Sequence, residues 1–126
     1  MNQKIKDLIP KAMDIIEKYE SKKGTIDKEV KGYISSLGAG VLMAGLLPTL
    51  AVYAAEENNS QASRHIVLDW INQMIRNVNK PKSQDNAKEL LTHVISLKGN
   101  TSNIELDILN ASIALKLSIR TFKLTD

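Results

Sequence analysis

The stretch GYISSLGAGVLMAGLLPTLAVYAA, residues 32–55, decides how the rest of the chain is read. It is 24 residues long and carries no charge; Lys31 precedes it and Glu56 follows it. About 20 apolar residues suffice to cross a bilayer core. Two readings therefore compete: a membrane span, or a helix enclosed by other helices. Tyr33 and Tyr53 near the ends, Lys28 and Lys31 before the run, and Glu56 and Glu57 after it suit a span. Ser35, Ser36, Thr49 and four glycines dilute the hydrophobicity, however, and Pro48, which lacks an N–H, divides the run into pieces too short to cross. The other segments each carry one apolar stripe and need a partner surface, which a helix apolar on all sides provides. The predicted fold is all-α: one domain, residues 1–126, a bundle of five or six helices with a buried, uncharged central helix. A small membrane protein of the pore-former type, spanning with residues 32–55, is the alternative.

The rest of the composition agrees with a compact domain. A chain of 126 residues can bury a core without staples. There is no cysteine, which excludes disulfides and thiolate metal sites and is compatible with a reducing compartment. The opening segment spaces its apolar residues instead of running them together, unlike a signal peptide. Net charge is +3, a mild excess that by itself says little about partners.

Helical periodicity runs through the chain. Ile5, Leu8, Ile9, Ala12, Met13, Ile16 and Tyr19 form one face, closed by SKKG at Ser21 to Gly24. Thr25 is the predicted N-cap of the second helix, with Asp27 and Glu29 in its first turn. That helix is expected to reach about Leu46, with a short one from about Pro48 to Glu57 and a loop at Asn58 to Ser60. Val67, Trp70, Ile71, Met74 and Val78 form the next stripe, broken by NKPKS at Asn79 to Ser83. Ser83 is expected to cap the fifth helix, with stripe Ala87, Leu90, Leu91, Val94 and Ile95, up to Gly99. SNIE at Ser102 to Glu105 reads as a capping box for a last helix reaching about Leu124. No segment alternates as a strand does.

Catalytic signals are poor. His65 and Asp69, at i and i+4, read as a solvated surface pair without a third polar group, and His93 as a boundary residue. There is no HExxH, no phosphate loop, and GAGVLMAG lacks dinucleotide spacing because Met43 stands where the third glycine belongs. No enzyme, cofactor or metal is expected. Basic surface is what remains. No acid lies between Ile108 and Thr125, where Lys116, Arg120 and Lys123 at i, i+4 and i+7 are expected to line the final helix and track a phosphate backbone. Arg76, Lys80 and Lys82 form a second acid-free cluster, and Lys22, Lys23 and Lys31 a third group. Only five aromatic residues exist, at stripe or helix-end positions, so any contact with nucleic acid is expected at phosphates and without sequence preference.

Three stretches together resemble a known family. They are GYISSLGAGVLMAGLLPTLAVYAAE at Gly32 to Glu56, with its Gly45-Leu46 doublet; HIVLDWINQMI at His65 to Ile75, with a central tryptophan; and ELDILNASIALKLSIRTFKL at Glu105 to Leu124, ending in a basic-Phe pattern. In that order they resemble the small helical subunit of the type III-B CRISPR RNA-guided effector, the Cmr complex. The resemblance implies a cytoplasmic, non-catalytic all-α subunit of antiviral defence, stacked beside other Cmr-complex subunits. It also implies contacts of a basic face with guide RNA and target RNA, target cutting by other subunits, and no membrane.

Overall fold

The computed structural model describes residues 2–55 and 64–125, and among these the regular elements are all helices, with one isolated bridge between Asp27 and Thr125. Six helices follow in order: α1 (Gln3–Lys23), α2 (Lys28–Ala44), α3 (Leu46–Ala54), α4 (His65–Arg76), α5 (Ser83–Ser96) and α6 (Ser102–Ile119). Their apolar faces meet in one core. The helix ends predicted beyond Ala55 and the loop at Asn58 to Ser60 lie outside the described residues.

α1 begins at an Asn2 cap, whose side-chain oxygen accepts from the Ile5 N–H at 2.8 Å, and ends at Gly24, as expected from SKKG. Gly24 takes φ 85°, the left-handed cap that glycine accommodates without strain. The next cap differs from the reading of Thr25. Ile26 turns into the core, fully buried, so α2 starts two residues later, with Asp27 at the cap position.

The break in the uncharged run falls at Gly45, not before Pro48. Gly45 has φ 97° and ψ 163°, a region essentially restricted to glycine. Pro48 is then the third residue of α3, where the missing N–H costs no intrahelical bond. Thr49 seals the corner: its hydroxyl donates to the Gly45 carbonyl at 2.9 Å. The two pieces are 17 and 9 residues, and among the described residues no helix is long and apolar enough to cross a membrane. The reading of residues 32–55 as a span is therefore not favoured.

The run is also not enclosed on every side. α2 buries Val30, Ile34, Leu37 and Val41, whereas Leu42 and Met43 are 78% and 89% exposed, and Leu47 and Val52 also face outward. The helix that packs against every other is α4. Its Val67, Leu68, Trp70, Ile71 and Met74 are buried, and the Trp70 ring meets Tyr19 of α1 edge-on at 5.3 Å. The amphipathic segments find their common surface in α4, so the uncharged run needs only one buried face.

Two later caps shift by one residue. Helical geometry begins at Ser83 itself, and its hydroxyl pairs with His65 Nδ1 at 2.9 Å instead of capping α5. α6 begins at Ser102 with Thr101 in the cap position, so the Ser102–Glu105 capping box does not form. α6 ends at Ile119, short of Leu124. Thr121 donates from its hydroxyl to the Ser118 carbonyl at 2.8 Å, and the chain turns back. The Thr125 N–H then donates to the Ile26 carbonyl at 2.9 Å, and the Lys28 N–H to the Thr125 carbonyl at 3.1 Å.

Candidate nucleic-acid interface

A trough runs between α1 and the end of α4 with the loop that follows. Its wider part, about 270 Å3, is lined on the α1 side by Lys18, Tyr19, Lys22 and Lys23, and on the other by Gln73, Asn79, Lys80 and Pro81. Trp70 and Asp69 close its base. A second part of about 250 Å3 continues it toward Lys11, Asp14 and Asn77. The two parts share Ile15, Gln73 and Asn79, so they form one channel. The α1 wall follows from sequence spacing: Lys11, Ile15, Lys18 and Lys22 recur at three- and four-residue intervals and share a face. The opposite wall follows from Asn77, which ends α4 at φ 56° and redirects the chain into Asn79, Lys80 and Pro81.

The trough is electropositive. Lys18 pairs with Asp14 at 3.0 Å, and both are well exposed, so the pair constrains neither strongly. Lys11 reaches the Met74 carbonyl oxygen at 3.5 Å. Lys22, Lys23 and Lys80 are exposed. Asp69 is the acid at the base. Burial pushes its carboxyl above the ordinary range, against hydrogen bonds from Asn86 (2.6 Å) and Gln73 (2.9 Å) and the nearby His65. Burial also raises the Tyr19 hydroxyl, helped by Asp27 and Asp69.

The sequence-derived candidates fare unequally. Lys22, Lys23 and Lys80 are brought to one trough although they come from two separate groups. Lys82 and Lys31 are exposed outside its lining. Arg76 is engaged: its guanidinium pairs with Glu89 of α5 and reaches Asn72 Oδ1 at 3.5 Å, so it is not a free cation beside Lys80 and Lys82. Lys116, Arg120 and Lys123 are all exposed, but they do not lie along one helix. Lys116 is on α6, Arg120 is its C-cap, and Lys123 lies in the returning tail, carried toward the Lys22–Lys23 end by the pairing of Thr125 with Ile26.

Sequence reasoning missed Lys18, Gln73, Asn77 and Asn79 in the trough. The i, i+4, i+7, i+11 spacing on α1 was an available signal; nothing local indicated the wall opposite. It also missed a polar seam inside the α4–α5 contact. Asn72 and Asn86 are fully buried; the Asn72 amide donates to Asn86 Oδ1 at 2.8 Å, and the Asn86 amide to the Asp69 carboxylate and the Val78 carbonyl. His65 and Asp69 thus belong to this seam, not to a solvated surface pair. Burial raises Glu89, but the hydrogen bonds from Arg76 and Asn72 prevail and hold its carboxyl below the ordinary range. Among the described residues no group of three His, Asp or Glu side chains could hold a metal ion.

The helical bundle thus carries a lysine-lined trough and, on α2 and α3, the exposed apolar side chains Leu42, Met43, Leu47 and Val52. Residues 4–104 match the family model described as CRISPR-associated protein (Cas_Cmr5), and the chain belongs to this family of small Cmr-complex subunits. The match includes α1, on which the three resembling stretches did not draw, and ends at the start of α6. Lys22, Lys23, Lys31, Arg76, Lys80 and Lys82 therefore lie within it, and Lys116, Arg120 and Lys123 beyond it. No curated protein and no solved structure is significantly similar to the chain.

Proposed function

We propose that this chain is a non-catalytic, cytoplasmic subunit of the type III-B effector that holds guide or target RNA by phosphate contacts while its exposed apolar side chains on α2 and α3 meet neighbouring subunits. The observation that carries the reading is the convergence of Lys22, Lys23 and Lys80 on one trough in a member of this family. Lysines gathered along a groove bind a polyanion by releasing its counterions, without need of base contacts. Lys116, Arg120, Lys123, Lys31 and Lys82 are exposed outside the trough and are secondary candidates for phosphate contacts. Arg76 drops out, because its guanidinium is already neutralised by Glu89.

The test is Lys22→Glu with Lys23→Glu and Lys80→Glu in the reconstituted effector. RNA binding is expected to weaken, most at low salt, with the helical circular dichroism unchanged. Unchanged binding across a salt series sinks the assignment.

A further inference from the structure

We infer that the trough between α1 and the α4–α5 loop takes single-stranded RNA, with phosphates along the lysine wall and bases against the amides of Gln73, Asn77 and Asn79. This rests on the phosphate-contact reading and goes further by naming the form of the nucleic acid.

The two walls differ in chemistry except at Lys80, which lies on the amide side and gives that wall one phosphate contact of its own. Lys18, Lys22 and Lys23 stand on one side, Lys18 paired with Asp14 of the same wall, and their ammonium groups are donors only. On the other side Gln73, Asn77 and Asn79 present amides, each a donor and an acceptor, the combination that base edges require, although one Gln73 N–H is already given to Asp69. Asn77 and Asn79 are exposed, and their side chains make no hydrogen bond to described residues. A single strand has the same division: a charged edge of phosphates and an opposite edge of bases. A duplex does not: the deep, narrow major groove of A-form RNA hides its bases, and the base edges in its shallow minor groove lie between two phosphate strands. A convex basic stripe suits a duplex; a concave channel with amides along one wall is reached only by splayed bases.

Length agrees. Lys11 and Lys22 are separated by about 17 Å along α1, at 1.5 Å per residue, so the channel holds a short run of nucleotides and no more. Pro81 adds an exposed apolar surface beside Lys80. Trp70 is 1% exposed and takes no part in stacking.

The experiment compares fluorescence anisotropy of a labelled single-stranded RNA and the same sequence as a blunt A-form duplex with the full chain, in a salt series. The single strand is expected to bind at least about tenfold more tightly. Lys22→Gln with Lys23→Gln should reduce its salt slope by about 1.4, at 0.7 per contact with a single strand. Asn79→Ala with Asn77→Gly, which keeps the left-handed cap at 77, should leave that slope unchanged. The same pair should reduce the preference among oligo-U, oligo-A and oligo-C about fivefold, the value of one good amide–base contact. If the duplex binds as tightly as the single strand and loses affinity with the lysine variant, the single-strand inference is overturned and the phosphate-contact reading stands. If the lysine variant changes binding of neither form, both are overturned. Equal affinity for all three oligomers in the unaltered chain overturns the role of the amide wall.

Discussion

The backbone N–H of Thr125 donates to the carbonyl oxygen of Ile26 at 2.9 Å, closing the end of the chain onto the connection between its first two helices. The Thr125 hydroxyl adds a bond to Asp27 Oδ1 at 3.2 Å, and Leu124 packs against the core. A chain ending at Lys123 should lose about 2–3 kcal/mol, from two backbone hydrogen bonds and a half-buried leucine. Urea unfolding followed by circular dichroism measures this; an unchanged midpoint would mean that the tail contributes nothing.

Gly45 and Gly32 should respond in opposite directions to alanine. Gly45 has φ 97°, so Gly45→Ala is expected to cost about 1–3 kcal/mol. Gly32 is exposed in α2, and an added Cβ there would meet nothing within 4 Å; Gly32→Ala should stabilise by about 0.5–1 kcal/mol. Thermal denaturation of the two variants side by side checks the pair.

Glu89→Gln removes the charge that holds Arg76 and should cost about 1–2 kcal/mol near neutral pH. The folded Glu89 carboxyl lies below its ordinary 4.5, so its contribution is present above that pH and is lost as pH falls through the folded value. The difference between the parent chain and Glu89→Gln should accordingly vanish in acid. Asp69 has the opposite sign. Its folded carboxyl lies above the ordinary 3.8, so its titration favours the fold below 3.8, a contribution lost as pH rises through the folded value. Side-chain carboxyl NMR titration should find Glu89 below and Asp69 above these values.

Lys substitutions at Leu42 and Met43 should leave unfolding within about 0.5 kcal/mol of the parent, because both side chains are already in solvent. Incorporation into the assembled effector should weaken, since the same side chains offer an apolar surface to a neighbour. Co-purification with the other subunits reads the second effect and thermal unfolding the first.

Reversal of Lys116, Arg120 and Lys123 to Glu should weaken RNA binding less than reversal of Lys22, Lys23 and Lys80. The first set is divided among a helix, its cap and the tail, whereas the second lines one trough. Side-by-side titrations of the two triple variants at low salt decide the order.

Helix number and class were legible because each stripe repeats at the helical period, and this local rule survives any tertiary arrangement. Gly24 was legible as a stop and takes φ 85°, whereas α5 ends at Ser96, before the positive-φ turn at Lys98 and Gly99 that the glycine had signalled. The corner of α2 and α3 was misplaced because Pro48 is the stronger sequence signal, yet proline is at ease in a first helical turn while Gly45 alone could adopt the required backbone. Thr25 and Ser102 carried good capping chemistry, but burial of Ile26 moved one cap to Asp27, and helical geometry at Ser102 left the other cap position to Thr101.

The amino-acid sequence by itself determined an all-helical chain, most of the stripe that each helix buries (Ile95 of the α5 stripe is 56% exposed), and membership of a family of CRISPR effector subunits. Tertiary structure alone decided that α4 is the centre, that Arg76 is consumed by Glu89, and that Lys22 and Lys23 face Lys80 across a trough. Propensity and capping act within a few residues, whereas the position of a charge relative to another depends on how two helices pack. A lysine's neighbours along the chain therefore say little about which phosphate it can reach.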